Sequence, residues 1–181
     1  MNLPNAISIG RLLVLTPLFV VALLVLDDPL LALVLLIVLG VTDWADGFIA
    51  RRFDLVTELG KRLDPLADRV SQLAVCVTLV IAGLVPLWMA LVLVASDLLL
   101  GVVILVARPD TVRVRWFGKL RTVLLMVGFP LLLLVEWMAP APSVPAALAL
   151  AFVGGGVVLH ALANVQYSIV TAREARAGSR R

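Results

Sequence analysis

Long apolar runs recur along almost the whole chain and limit what it can fold into. Hydrophobic residues make up 62% of the 181 residues, and the mean hydropathy is +1.12, a balance that ordinary soluble domains do not have. A run of about 20 apolar residues is the length that crosses the hydrocarbon core of a bilayer as a helix. The pattern therefore predicts an all-α integral membrane protein.

Turn-forming and helix-breaking residues divide this apolar sequence into six predicted transmembrane helices. Asp27-Asp28-Pro29 separates the first two, Gly83 and Pro86 separate the third from the fourth, and the prolines of 140–145 precede the last, because proline lacks a backbone donor. The predicted spans are residues 9–26, 30–50, 65–83, 87–107, 118–138 and 145–169. We expect one domain over 1–181, with 172–181 as a basic cytoplasmic tail.

The basic residues predict the orientation of these spans. All 15 Lys and Arg residues fall on one side of the predicted bilayer, whereas the opposite connections carry only Asp27, Asp28 and Glu136. By the positive-inside rule, both termini are cytoplasmic in the cell membrane. This clustering at span ends also explains the net charge of +3 without nucleic acid as a partner. The single Cys76 excludes a disulfide framework.

Four aspartates stand where the second predicted span ends and the third begins. Asp43 and Asp46 are three residues apart, and Asp64 and Asp68 are four apart, so each pair lies on one face of a helix. The short connection makes the two spans antiparallel neighbours whose ends meet. Opposed carboxylates supply the oxygen ligands that hard cations prefer, and two Mg²⁺ or Mn²⁺ ions would neutralise four negative charges.

Other interpretations of the same residues stay open. Asp43 can be a carboxylate that reaches toward water, and Asp64, which precedes a proline, can be a helix N-cap. Gly47, Ala50 and Gly60 are small enough to let a flat base or a diphosphate approach the backbone. They are equally typical of close helix packing in membranes.

The aspartates belong to a longer pattern that resembles the signature of the CDP-alcohol phosphatidyltransferase family (class I), D-x2-D-G-x2-A-R-x8-G-x3-D-x3-D. The eight fixed positions are Asp43, Asp46, Gly47, Ala50, Arg51, Gly60, Asp64 and Asp68. The six-span topology is also similar to the family. So is the opening, where Pro4, Asn5, Ser8 and Arg11 match a P-N-x2-[ST]-x2-R element found in many members.

The resemblance implies a reaction and roles for these residues. An acceptor hydroxyl attacks the lipid-side phosphorus of CDP-diacylglycerol, and CMP leaves. The resemblance assigns the four aspartates to two divalent cations, with Asp68 also as general base. It assigns nucleotide binding to Gly47, Ala50, Arg51, Thr57 and Gly60. Members are commonly homodimers, so a homodimer is expected.

The acceptor has to be inferred from residues outside the motif. Gly118, Lys119, Arg121 and Thr122 resemble a G-K-x-K-T element of phosphatidylglycerophosphate synthases in the family, so Lys119 and Arg121 are candidates for holding the phosphate of glycerol 3-phosphate. They can equally be topology charges that face lipid phosphates. Many relatives have arginine where Ser96 precedes Asp97 here. The overall pattern is also similar to actinobacterial members whose acceptor is phosphatidylglycerol, which yields cardiolipin.

Two further hypotheses come from the intramembrane charges. A cation-coupled transporter or channel would also carry acids in its spans, although such acids usually lie near the midplane. A polyprenyl transferase would need paired aspartate-rich motifs that this chain lacks. The roles of Asp97 and His160 are not determined, but a lone histidine such as His160 is more typical of a satisfied contact between helices than of a ligand.

Overall fold

The computed structural model describes residues 8–53, 58–107, 116–138 and 144–178, and within them the chain forms six helices. They are α1 (Ser8–Leu24), α2 (Pro29–Arg52), α3 (Glu58–Ile81), α4 (Leu87–Ala107), α5 (Trp116–Met138) and α6 (Val144–Gly178). The all-α prediction is therefore confirmed. Three helices are long and apolar enough to cross a membrane, over Leu87–Val106, Leu120–Met138 and Val144–Ala172. The apolar stretches Ser8–Leu24 and Pro29–Ala45 are shorter.

The conformational preferences of a few residues explain where two of the predicted helix boundaries lie. Asp28 caps α2, since its carboxylate accepts a hydrogen bond of 2.9 Å from the Leu31 amide, and Pro29 occupies the first turn. Gly83 follows α3 in the left-handed region, at φ 77°, and its amide bonds to the Val80 carbonyl at 3.0 Å. A residue without Cβ adopts this conformation without strain. These sites end or begin helices independently of the rest of the fold.

Two helix boundaries differ from the prediction by more than two residues. α3 begins at Glu58, about two turns before the predicted residue 65, so Asp64 lies inside the helix and the N-cap interpretation of Asp64 is wrong. Charged residues in the first turns of α3 lower its hydropathy without preventing helix formation. α6 continues past the predicted residue 169 to Gly178, so much of the predicted basic tail is helical.

The described residues form two compact units. The first comprises 8–53, 58–85 and 130–138, and the second comprises 86–107, 116–129 and 144–178. In the first, α1 packs against both α2 and α3, with Phe19, Ala32 and Leu79 fully buried. In the second, α4 packs along α6, and Leu100, Ala163 and Tyr167 form a buried cluster. The single-domain prediction is not tested by this division.

The glycine triplet Gly154–Gly156 is a packing surface within α6. A Cβ on Gly156 would lie 2.8 Å from Leu125 Cγ and Cδ2, so this glycine allows α5 and α6 to approach closely. Small residues at helix contacts are the usual means of close approach in membranes. Gly128 serves the same contact from α5, where a Cβ would lie 2.8 Å from Val153 Cγ2.

Gly156→Ala is expected to lower the free energy of unfolding by about 1–3 kcal/mol, because the added methyl overfills a packed contact. Thermal unfolding in detergent micelles measures the change. Gly101→Ala is the matched control, since a Cβ on Gly101 meets nothing within 4 Å. Equal melting temperatures for the two variants would contradict close packing at Gly156.

Candidate active site

A buried arginine joins two of the four predicted aspartates. Arg11 lies near the start of α1, and its guanidinium donates through one terminal nitrogen to Asp43 Oδ1 on α2 and through the other to Asp68 Oδ1 on α3. Three helices of the first unit thus meet at one charged group. The sequence predicted that the ends of the second and third helices meet; the structure brings Asp43 and Asp68 of those helices to the same guanidinium.

Burial differs sharply between the three charged side chains. The Arg11 side chain is 3% exposed, whereas those of Asp43 and Asp68 are 45% and 48% exposed. A guanidinium fully withdrawn from solvent needs anionic partners, because an unpaired buried charge is strongly unfavourable. The two carboxylates pair with its terminal nitrogens. The cluster therefore combines a buried guanidinium with two aspartate side chains that are nearly half exposed.

Apart from Arg121 and Thr57, the remaining predicted site residues are placed by their backbone only. Asp46, Gly47, Ala50 and Arg51 lie in the last turns of α2, Gly60 and Asp64 lie in the first turns of α3, and Lys119 lies in the first turn of α5. Their side chains, and the whole of Thr57, lie outside what the structure describes. Asp46 follows Asp43 by about one helical turn, as does Asp68 after Asp64, so the predicted spacing holds in real helices.

The donor chemistry of this cluster fits a hard divalent cation. Among the described side chains, no group of three or more His, Cys, Asp or Glu stands together as a metal site. Asp43 and Asp68 nevertheless come from different helices, meet at the Arg11 guanidinium and have side chains that are nearly half exposed. Carboxylate oxygens are the ligands that Mg²⁺ and Mn²⁺ prefer. Two such carboxylates on adjoining helices are half of the ligand set that the sequence predicts.

A second polar cluster lies in the second unit, and the sequence pattern did not predict it. Asn164 on α6 is fully buried, and its Nδ2 donates to Asp97 Oδ1 on α4 at 2.8 Å. Arg121 Nη1 on α5 donates to Asn164 Oδ1 at 2.7 Å. His160 Nε2 lies 2.9 Å from the same Asp97 oxygen. Since a carboxylate only accepts, His160 is the donor there.

These contacts answer two questions that the sequence left open. His160 is 4% exposed and lies between Asp97 and Asn164, which confirms its interpretation as a satisfied contact between helices. Asp97, whose role the sequence left undetermined, contacts Asn164 and His160, and Asn164 in turn accepts a hydrogen bond from Arg121. Arg121, a candidate for binding the acceptor phosphate, thus has a protein partner; its acceptor role stays a prediction.

Two residues with a structural claim to importance were missed. The sequence places Arg11 in an N-terminal element but does not predict its partners. A charge near the start of an apolar helix nevertheless indicates that an oppositely charged group lies near it in the fold. Asn164 carried no signal at all, because one amide in an apolar helix is common. Its role follows from the three side chains that converge on it.

Helices of membrane-spanning length and an outward-facing carboxylate cluster together define a class, the helical membrane proteins with an acidic site suited to divalent cations. Within that class the family is shown by comparison. Residues 1–162 match the family model for CDP-alcohol phosphatidyltransferase. The chain belongs to the CDP-alcohol phosphatidyltransferase family, which confirms the resemblance and the expected transferase activity. The family is generally dependent on divalent cations.

Named relatives fall under two activities. The chain is 38% identical over 149 residues to a "Cardiolipin synthase (CMP-forming)" of Streptomyces coelicolor, covering 81% of this chain and 69% of the relative. It is 33% identical to a "CDP-diacylglycerol--glycerol-3-phosphate 3-phosphatidyltransferase" of Bacillus subtilis, covering 74% and 77%. The Escherichia coli protein of the latter name is 31% identical, covering 89% and 91%. Relatives of similar coverage thus carry the names of two different enzymes.

Proposed function

We propose that this protein acts in phospholipid biosynthesis, transferring a phosphatidyl group from CDP-diacylglycerol to an acceptor hydroxyl with release of CMP. The observation that carries the proposal is the meeting of Asp43 and Asp68 at one outward-facing cluster, in a chain whose family is established. Asp46 and Asp64 complete the proposed set of metal ligands. A transporter would use acids as a conduction site, and membership of a transferase family speaks against it.

The proposed step forms one bond and breaks one. The acceptor oxygen bonds to the lipid-side phosphorus, the bond from that phosphorus to the bridging oxygen breaks, and CMP departs with that oxygen. Asp68 accepts the proton of the acceptor hydroxyl, since a carboxylate within reach can act as general base. Two divalent cations, Mg²⁺ or Mn²⁺, would neutralise charge on the diphosphate and on departing CMP. Gly47, Ala50, Arg51, Thr57 and Gly60 bind the nucleotide in this proposal.

Different observations favour two acceptors. Glycerol 3-phosphate is favoured by the element around Lys119 and by the names of the Bacillus and Escherichia relatives. Phosphatidylglycerol is favoured by the higher identity to the Streptomyces protein and by Ser96, which replaces an arginine common in the family. In addition, Arg121 is already bonded to Asn164. The roles proposed for Asp68 and for the metal ligands are the same for both acceptors.

The decisive assay supplies purified protein with CDP-diacylglycerol and Mg²⁺ or Mn²⁺, and offers glycerol 3-phosphate or phosphatidylglycerol separately. CMP release is measured, and the lipid product is identified by mass spectrometry as phosphatidylglycerophosphate or cardiolipin. EDTA provides the metal-free control. Folded protein that releases no CMP with either acceptor would contradict the proposed function.

Lys119→Ala tests the glycerol 3-phosphate assignment. Loss of a charge-assisted hydrogen bond of about 1.5–3 kcal/mol is expected to raise the Michaelis constant for glycerol 3-phosphate by about tenfold to a hundredfold, with little change for CDP-diacylglycerol. Arg113→Ala, from the same basic segment but outside the G-K-x-R-T element, is the control. An unchanged Michaelis constant for glycerol 3-phosphate would contradict this assignment and favour Lys119 as a charge that only faces lipid phosphates.

We also propose six membrane spans, with both termini and the carboxylate cluster at the cytoplasmic face of the cell membrane, and a homodimeric assembly. Labelling with an impermeant maleimide tests the orientation, because the buried Cys76 gives little background. Leu26→Cys, at an exposed position just after α1, is expected to react in intact spheroplasts. Ser179→Cys is expected to react only after permeabilisation. The reverse pattern would contradict the orientation.

A further inference from the structure

Arg11 occupies an unusual position for a charged residue. It lies in an apolar helix, its side chain is 3% exposed, and it contacts one aspartate from each of the two helices that carry the motif. A guanidinium matches carboxylate geometry better than an ammonium does, because its donors are arranged as a planar fork. Arg11 therefore bridges the two carboxylates rather than pairing with one of them.

The backbone around Arg11 is specialised to hold it there. Residues Arg11–Leu15 form a π-helical turn inside α1, a wider turn that is frequent at functional sites. Thr16 closes the turn, with its amide bonded to the Arg11 carbonyl and its Oγ1 3.1 Å from the same oxygen. Thr16 Oγ1 also lies 3.1 Å from Ser71 Oγ on α3. A buried contact between α1 and α3 thus fixes the backbone from which Arg11 reaches the cluster.

We propose that Arg11 is the resident counter-cation of the carboxylate cluster, holding Asp43 and Asp68 together without metal and competing with divalent cations for them. The inference rests on the proposed metal-dependent function and makes Arg11 a positioning residue of that site. Two carboxylates that share one site repel each other unless a cation lies between them. Arg11 supplies that cation before any metal binds.

Competition follows from the same contacts. A divalent cation that binds these carboxylates either displaces the guanidinium, which breaks charge-assisted hydrogen bonds, or binds beside it against electrostatic repulsion. Both routes weaken metal binding relative to a cluster without Arg11. The opposing effect, loss of order in two short aspartate side chains, is smaller, because aspartate has few rotamers to restrict. Removal of the charge is therefore expected to tighten metal binding.

The test compares wild type with Arg11→Gln by Mn²⁺ titration calorimetry and by thermal unfolding in EDTA. We expect Arg11→Gln to melt at a lower temperature in EDTA, to bind Mn²⁺ at least threefold more tightly and to gain more thermal stability from Mn²⁺. Arg52→Gln, which removes an exposed charge at the end of α2, is the matched control and is expected to change Mn²⁺ affinity by less than twofold. Arg11→Lys keeps the charge but loses the fork, so its Mn²⁺ affinity stays near that of wild type while its melting temperature in EDTA falls.

Each other outcome overturns a defined part of this inference. Equal or weaker Mn²⁺ binding by Arg11→Gln would overturn the competition while leaving the proposed function intact. No Mn²⁺ binding by wild type would overturn the metal site, and with it the proposed function. If Arg11→Gln does not fold, Arg11→Gln/Asp43→Asn, which removes one of the two repelling charges, is expected to recover folded protein. Failure of that double variant to recover would overturn the counter-cation role.

Discussion

Asp68→Asn is expected to lower turnover by about 10²–10⁴-fold, the usual contribution of a general base. Asparagine keeps the size of the side chain but cannot accept the proton of the acceptor hydroxyl. Binding of CDP-diacylglycerol should remain measurable, because Asp43, Asp46 and Asp64 are retained. CMP release measures turnover, and equilibrium binding of the CDP-lipid is measured on the same preparation.

Asp28→Asn is the matched control for this variant. Asp28 caps α2 at the other end of that helix, and asparagine is an equally good N-cap, so turnover should not change. Thermal unfolding of both variants separates loss of chemistry from loss of fold, since Asp68 also contacts Arg11. Full activity of Asp68→Asn would remove Asp68 from the role of base.

Asn164→Ala is expected to lower the stability of the second unit. The amide donates to Asp97 and accepts from Arg121, and alanine would remove both of these hydrogen bonds between helices. Each lost hydrogen bond is worth about 0.6–1.7 kcal/mol in a membrane helix bundle, so a decrease of about 1–3 kcal/mol is expected. Unfolding in increasing SDS, or thermal unfolding in detergent, measures the difference.

Val165→Ala provides the comparison for Asn164→Ala. Val165 is the next residue of α6 and is exposed, so its truncation changes little inside the unit. Equal stability of the two variants would show that the polar cluster does not contribute to packing of the second unit. A large loss in Asn164→Ala together with altered acceptor kinetics would further tie the orientation of Arg121 to the reaction.

Local signals were the most reliable part of the sequence-based predictions. The boundary at Asp28-Pro29 and the stop at Gly83 depend on the conformational preferences of those residues and their immediate neighbours, and both appear in the structure as predicted. The start of α3 differs from the prediction because Asp64-Pro65 is typical of a helix start, whereas the helix begins at Glu58. The chain is helical on both sides of Pro65, although a proline after an aspartate is more typical of the first turn of a helix.

The amino-acid sequence by itself determined the apolar helices, the helical spacing of the aspartates and the family, because all three depend on residue types at fixed short separations. Only the tertiary structure decided which groups those aspartates meet. Arg11 reaches Asp43 and Asp68 across separations of 32 and 57 residues, and Arg121 reaches Asn164 across 43. Contacts of that kind depend on how helices pack in three dimensions. The conformational preferences of neighbouring residues do not determine which distant side chain pairs with a buried charge.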